Sequence, residues 1–155
     1  MRFNLVDHIV EFTRGERIVA VKAVSTAEEY LADHFPTFPV LPGVFILQAM
    51  VESATWLIRE ALDFAPGMIL LRSVKNVTYK SFVKPGSLLC VEVVCRRLAR
   101  GESDFEGAGF CQDAEISRGR FGLIHSELSD VREGPAGGDP RSAVEFRKMF
   151  EILRR

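Results

Sequence analysis

A histidine held in a proline-rich loop is the first feature of this sequence that could carry chemistry. His34 opens the segment HFPTFPVLPG, residues 34 to 43, in which three prolines restrict the backbone. Because an imidazole titrates near neutral pH, a rigidly placed histidine suits the role of a general base. A histidine beside a phenylalanine is also commonly structural, so the residue alone leaves both interpretations open.

Gly43 follows at the predicted start of a helix, where it could bring the backbone close to a ligand. A glycine has no Cβ, and the free N–H groups at a helix N-terminus can stabilise negative charge on a carbonyl oxygen. For a thioester substrate this would be an oxyanion site. A glycine needed only for a tight turn would give the same sequence.

Four polar residues form one stripe along the same predicted helix. Gln48, Glu52, Thr55 and Arg59 recur at helical spacing. The stripe either lines a site or is the wetter, solvent-exposed face of the helix. From Thr55 onward we interpret it as the solvent-exposed face. Gln48 lies among apolar residues, so it must find hydrogen-bond partners if it is buried.

The elements that must position these residues are one long helix and several strands. Pro42 suits the first turn of a helix that extends to about Asp63, before the breakers Pro66 and Gly67. Strand-like runs precede and follow it, at residues 3–12, 16–25, 68–83, 88–99, 103–117 and 119–129. This order predicts an α+β fold in which a curled antiparallel sheet wraps around the central helix.

The C-terminal part is expected to be a linker followed by a short helix. Residues 132–141 are rich in Gly and Pro, and one face of the helix beyond them carries Ala143, Phe146, Phe150 and Leu153. We interpret that face as packing on its own domain or on a dimer mate, with a basic docking element as the alternative. The predicted units are a domain of residues 1–131 and an appended segment of residues 132–155.

Composition and charge restrict the classes of function. The 155 residues are 47% hydrophobic, which is ample for one core, and the net charge of -1 lacks the positive field that non-specific nucleic-acid binding requires. The most apolar stretch, residues 38–51, is too short and too interrupted for a membrane span. The N-terminal residues lack the long apolar region of a secretory signal. We therefore expect no nucleic-acid binding, no membrane span and no export.

The cysteines and the remaining histidines show no metal-binding pattern. Cys90, Cys95 and Cys111 lack zinc-site spacing, and we interpret them as reduced core residues of a cytoplasmic protein. His8 and His125 are isolated in strand-like segments, with no second ligand two or four residues away. No metal site is predicted.

The segment HFPTFPVLPGVFILQAM, residues 34–50, closely resembles the active-site motif of the 3-hydroxyacyl acyl-carrier-protein dehydratases, HFPxxPVxPGVxxxEA. Eight motif residues match in register, from His34 to Val44. NLVDHIVEFTRGERIVAVKAVS and VTYKSFVKPGSLLCVEV are similar to other parts of the family, so the resemblance covers roughly residues 4–129. It implies a hotdog fold that dehydrates 3-hydroxyacyl thioesters, or hydrates 2-enoyl thioesters, on acyl carrier protein or coenzyme A. No metal or redox cofactor is implied.

The resemblance also assigns roles to individual residues. His34 corresponds to the catalytic histidine that removes the proton α to the thioester carbonyl, and Gly43 to the glycine whose backbone N–H polarises that carbonyl. Phe35 and Val44, which match the motif, are expected to contact the substrate. Active sites in this family lie at a dimer interface, with the histidine from one subunit and a helix carboxylate from the other. A homodimer or higher homo-oligomer is therefore expected.

Position 48 departs from the family pattern, which has a catalytic Glu where this chain has Gln48. An amide cannot exchange protons as a carboxylic acid does, so the expected general acid is missing. One helical turn further on, where the family commonly has Gln, this chain has Glu52 on the same face. Glu52, or a water held by Gln48, is predicted to deliver the proton. The predicted catalytic residues are thus His34, Gln48 and Glu52.

Two other functions remain open from the sequence. Hotdog thioesterases position water with a helix carboxylate or amide, so an acyl thioesterase is one alternative. The other is a catalytically weakened subunit that binds an acyl chain or its carrier protein, or completes the dimer of an active homologue. Gln48 would then mark a loss of chemistry.

Overall fold

The computed structural model describes residues 4–35, 37–127 and 140–155, which form one curled sheet around a long helix. The elements in chain order are β1 (His8–Thr13), β2 (Arg17–Ala23), α1 (Glu29–Asp33), α2 (Gly43–Ala61), β3 (Pro66–Tyr79), β4 (Leu88–Ala99), β5 (Glu102–Cys111), β6 (Ala114–Glu127) and α3 (Pro140–Leu153). The expected α+β class is confirmed. The long helix begins one residue after Pro42, as the proline predicts.

The strands of the described residues form a single antiparallel sheet in the order β1-β2-β4-β5-β6-β3. Strands β4, β5 and β6 follow one another as hairpins, whereas β3 crosses over to pair with β6. Strands β1 and β3 are therefore the two edges of the sheet. The free edge of β3 leaves its outer backbone N–H and C=O groups without partners within this sheet.

Helix α2 packs against the concave face of the sheet. The side chains of β4 alternate, so that Leu89, Val91 and Val93 are buried towards the helix. On β5, a Cβ placed on Gly107 would lie 2.8 Å from the Met50 Sδ, so the glycine lets the 19-residue helix approach the strand closely. Within the parts of the chain that the structure describes, no helix is long and apolar enough to cross a bilayer.

The strand boundaries in the second half of the chain differ from those that the sequence predicts. One strand was expected over residues 103–117, but the chain turns at Gln112 and Asp113, which adopt φ angles of 50° and 63°. Two consecutive left-handed residues are typical of a two-residue hairpin loop, and here no glycine marks it. Gly119, expected near a turn, lies inside β6 instead.

Helix α3 packs on the domain that precedes it. Phe150 and Leu153 are buried in the core, and the Phe150 ring centroid lies 4.9 Å from that of Phe12 and 5.7 Å from that of Phe64. The apolar face of the predicted helix therefore packs on its own chain. The expected boundary at residue 131 and most of the linker fall outside the described residues.

The three cysteines lie at the edge of the hydrophobic core and are only partly buried. Cys90, Cys95 and Cys111 are free and half-buried, and only Cys95 and Cys111 pack against the core cluster. The interpretation of all three as core residues is therefore wrong for Cys90, which faces outward on β4 opposite the buried Leu89 and Val91.

Candidate active site

The loop that carries His34 is held at both ends by buried neighbours. His34 directly follows α1, and at the far end Leu41 donates a backbone hydrogen bond of 2.8 Å to the Val83 carbonyl. Leu41 and Val83 are both buried. Phe35 adopts a φ of 50°, a conformation that costs a non-glycine residue about 1–2 kcal/mol. Backbone strain of this kind is often retained at functional sites.

His34 lines a cavity of about 290 Å³ together with Gly43, the first residue of α2. The His34 ring is half-buried and contacts the Phe35 ring, with 4.5 Å between their centroids. The first N–H groups of a helix have no partner within the helix. The structure thus places an imidazole and the N-terminus of α2 in the same cavity.

Tyr79, at the end of edge strand β3, forms another wall of this cavity. A Cβ built on Gly43 would lie 3.2 Å from the Tyr79 Cδ1 and Cε1 atoms, so the ring packs directly on the glycine backbone. Desolvation by burial raises the pKa of the Tyr79 hydroxyl. The sequence does not point to Tyr79, because a lone tyrosine far along the chain from His34 carries no pattern that links the two residues.

Gln48 and Glu52 line a second cavity, of about 480 Å³, with Leu5 and Val44. The Glu52 carboxylate accepts a hydrogen bond of 2.9 Å from the Leu5 backbone N–H and another from the Gln48 side chain. Gln48 is exposed in the single chain, and its side chain hydrogen-bonds Glu52. Position 48 is therefore part of a polar pair that opens to solvent.

Burial changes the protonation of Glu52. Desolvation raises the pKa of its carboxyl, while the hydrogen bonds from Leu5 and Gln48 and the charge of Lys22 act in the opposite direction. Desolvation outweighs them, so the neutral acid is more populated at Glu52 than at an exposed glutamate. A carboxyl of this kind is suited to donate a proton.

The predicted catalytic residues fall into two groups within one chain. His34 and Glu52 line different cavities, and the two cavities share no lining residue among those described. Phe35 and Val44, expected to contact the substrate, are 58% and 64% exposed. The expected wrapping of α2 is thus incomplete at Val44 and Gln48. The structure brings His34 to Gly43, and Gln48 to Glu52, but does not join the two pairs.

The polar stripe on α2 ends in a buried residue. Arg59 is 8% exposed, its guanidinium lies 3.5 Å from the centre of the Phe146 ring, and it donates a hydrogen bond to the Pro66 carbonyl. Burial lowers the pKa of Arg59 to about 10. The interpretation of this part of the stripe as the wetter face is wrong for Arg59, because α3 covers it.

His125 has a local partner within the sheet. Its Nε2 lies 3.0 Å from the Ser103 hydroxyl, and burial lowers its pKa. Ser103 is fully buried. The described residues contain no group of three His, Cys, Asp or Glu side chains that could hold a metal ion.

A curled antiparallel sheet around one central helix defines a hotdog-fold protein, and solved structures agree with this class. The dehydratase heterocomplex ApeI:P from Xenorhabdus doucetiae matches with a TM-score of 0.67 and 18% identity over 84% of this chain and 90% of that one. The smu.793 protein of Streptococcus mutans UA159, bound to acetyl CoA, matches with a TM-score of 0.62 and 15% identity over 82% and 94%. These likenesses confirm the expected fold.

The chain belongs to the FabA-like family, whose model matches residues 1–118. A 3-hydroxyacyl acyl-carrier-protein dehydratase FabZ of Variovorax paradoxus (strain S110) is 36% identical over 108 residues, or 68% of this chain and 72% of that protein. The FabZ of Coxiella burnetii (strain RSA 331 / Henzerling II) is 32% identical over 114 residues, or 72% of this chain and 80% of that protein. The resemblance drawn from residues 34–50 is confirmed.

Proposed function

We propose that this protein dehydrates 3-hydroxyacyl thioesters carried by acyl carrier protein, or by coenzyme A, in fatty acid synthesis. The observation that carries the proposal is the placement of His34 and the N-terminus of α2 in one cavity. Relatives that are identical to this chain at 36% and 32% of the aligned residues are named 3-hydroxyacyl acyl-carrier-protein dehydratases. The active-site motif that includes His34 and Gly43 supports the same reaction.

The proposed active site is completed by a second copy of the chain. His34 and Glu52 line separate cavities in the single chain, which supports a site that needs residues from two copies. The edge strand β3 exposes Met68, Leu70 and Leu71, each at least 44% accessible. Apolar side chains on a long free edge are unusual on a monomer, which supports a homodimer that joins the two cavities.

The proposed reaction uses three groups of this chain. His34 removes the proton from the carbon α to the thioester carbonyl. The electron pair of the broken C–H bond forms the double bond as the C–O bond to the 3-hydroxyl breaks. The Gly43 N–H stabilises the negative charge that develops on the thioester oxygen. The neutral Glu52 carboxyl donates a proton to the departing hydroxyl, which leaves as water. Proton exchange with solvent then returns the imidazolium and the carboxylate to their starting forms.

Gln48 has a different role from the carboxylate that the family has at this position. Its amide cannot supply a proton, but it hydrogen-bonds Glu52 and lies at the open side of the second cavity. We propose that Gln48 orients the Glu52 carboxyl towards the substrate. The free cysteines, which suit a reducing compartment, support a cytoplasmic location for the reaction.

A hydration assay tests the proposed function. Purified protein is mixed with crotonyl and longer 2-enoyl thioesters of both carriers, and the loss of the conjugated double bond is followed by absorbance. Activity that disappears in His34→Ala and survives in His8→Ala would support the dehydratase. Absence of turnover with every substrate would favour the acyl-binding or partner-completing role that exposed Gln48 allows. Release of free thiol without loss of the double bond would instead indicate a thioesterase.

A further inference from the structure

The contact between Tyr79 and Gly43 joins two parts of the chain that the sequence keeps far apart. Gly43 begins α2, whereas Tyr79 ends edge strand β3. The backbone on the Tyr79 side is firmly placed: Tyr79 pairs with Ser117 of β6, and Lys80 donates a hydrogen bond of 2.7 Å to the Ile116 carbonyl. The ring therefore projects from a fixed point of the sheet.

The Tyr79 ring, which is 45% exposed on its outer side, packs closely on the Gly43 backbone. A Cβ at Gly43 would meet three ring atoms at 3.2 to 3.4 Å, so even the smallest side chain would displace the ring or the helix start by a few tenths of an ångström. His34 lines the same cavity as both residues. The Tyr79 ring therefore lies against the backbone that carries the Gly43 N–H, beside the imidazole.

We propose that Tyr79 is a positioning residue of this site, whose ring holds the Gly43 N–H in the direction that a thioester oxygen requires beside His34. The inference rests on the proposed function, which supplies the thioester. It assigns the ring, and not the hydroxyl, as the part of Tyr79 that matters. Position 43 then requires a glycine for two reasons, because both the substrate and the Tyr79 ring must approach its backbone closely.

Substitutions at Tyr79 test the role of the ring. Tyr79→Leu should lower kcat about tenfold with little change in KM, because a small misplacement of a group that acts in the transition state costs rate and not ground-state binding. Tyr79→Phe keeps the ring and should restore most of kcat. Phe110→Leu, on a different strand and away from the cavity, controls for the loss of an aromatic side chain. Equal kcat values in Tyr79→Leu and wild type would overturn the inference, as would a Tyr79→Phe as slow as Tyr79→Leu.

A double-mutant cycle separates positioning from a general loss of folded protein. Gly43→Ala pushes against the ring, so it should also lower kcat about tenfold, while the double variant Gly43→Ala/Tyr79→Leu should fall about tenfold and not about a hundredfold. Two residues that affect folding independently would give additive losses, and additivity would overturn the inference. Thermal unfolding of each variant checks that the folded fraction is unchanged at the assay temperature.

One measurement keeps the inference testable if the wild-type protein turns over no thioester. The backbone amide resonance of Gly43 is followed by NMR while the crotonyl-CoA analogue with an amide nitrogen in place of the thioester sulfur is added. A shift in wild type and Tyr79→Phe, but not in Tyr79→Leu, would uphold the positioning role while the dehydratase proposal fails. An identical shift in all three proteins, or no shift in wild type, would reject the positioning role.

Discussion

The Leu5 backbone N–H donates a hydrogen bond of 2.9 Å to the Glu52 carboxylate, and so ties the segment before β1 to the middle of α2. Leu5 is itself buried, so the donor is held in place by the core. The Gln48 amide reaches the same carboxylate. The Glu52 carboxyl therefore has a fixed orientation, a raised pKa and an open cavity beside it.

Removing the acidic proton of Glu52 should remove catalysis and leave the fold intact. Glu52→Gln keeps the size of the side chain and its capacity to accept from Leu5, but it cannot donate a proton to a leaving hydroxyl. We expect kcat to fall about 10²- to 10⁴-fold, the usual contribution of a general acid. The measurement is steady-state turnover of a 3-hydroxyacyl thioester, with Glu145→Gln on the exposed face of α3 as the matched control. Turnover close to wild type in Glu52→Gln would rule out the role proposed for Glu52.

A site shared between two copies predicts complementation between inactive variants. His34→Ala and Glu52→Gln should each be inactive alone, whereas a mixed dimer contains one site with both residues intact. Random subunit exchange between equal amounts of the two variants should restore about a quarter of the wild-type activity. Half of the dimers are then mixed, and each mixed dimer has one working site where the wild-type dimer has two. The assay is turnover after subunit exchange in mild denaturant. If the mixture stays inactive although mixed dimers form, the two residues do not act in one shared site.

The raised pKa of Glu52 predicts a pH-dependent contribution to stability. Burial raises the folded-state pKa above the unfolded one, so the folded state binds the extra proton. This contribution is present at acidic pH and is lost as the pH rises through the folded pKa. Glutamine does not titrate, so the wild type should lose stability relative to Glu52→Gln as the pH is raised.

Urea unfolding of both proteins, from about pH 4 to about pH 7, measures this difference. Glu145→Gln, which removes an exposed carboxylate, gives the background effect of one fewer negative charge. The difference in the free energy of unfolding between wild type and Glu52→Gln should change with pH. A difference that stays constant, or that moves in favour of the wild type as the pH rises, would contradict a raised pKa at Glu52.

Helix α3 should contribute to stability through Phe150. Its ring lies among Phe12, Trp56 and Phe64, so Phe150→Ala removes a large buried side chain and leaves a cavity. We expect a loss of about 3–5 kcal/mol in the free energy of unfolding. Met149→Ala on the same helix, where the side chain is 46% exposed, should cost less than about 1 kcal/mol. Equal losses in the two variants would mean that α3 does not dock as described.

Much of the fold could be predicted from local patterns. Pro42 marks the start of α2 because a proline suits the first turn of a helix, and the alternation around Leu89 and Val91 marks β4 because one face of that strand is buried. The hairpin at Gln112 and Asp113 was missed, since neither residue is a glycine and the left-handed turn is imposed by the pairing of β5 with β6. Arg59 was assigned to solvent, because its position on α2 does not reveal that α3 covers it.

The candidate site also combines residues that the sequence indicates with contacts that only the fold reveals. By itself the sequence singled out His34, Gly43, Gln48 and Glu52 as candidates, because residues 34–50 resemble the active-site motif of one family, whereas their types and spacing alone left structural interpretations open. Only the tertiary structure decided that His34 and Glu52 lie in separate cavities, that Glu52 is held by Leu5, and that Tyr79 packs on Gly43. Such contacts depend on how the sheet curls around α2, and they join residues whose separation along the chain leaves no periodic trace.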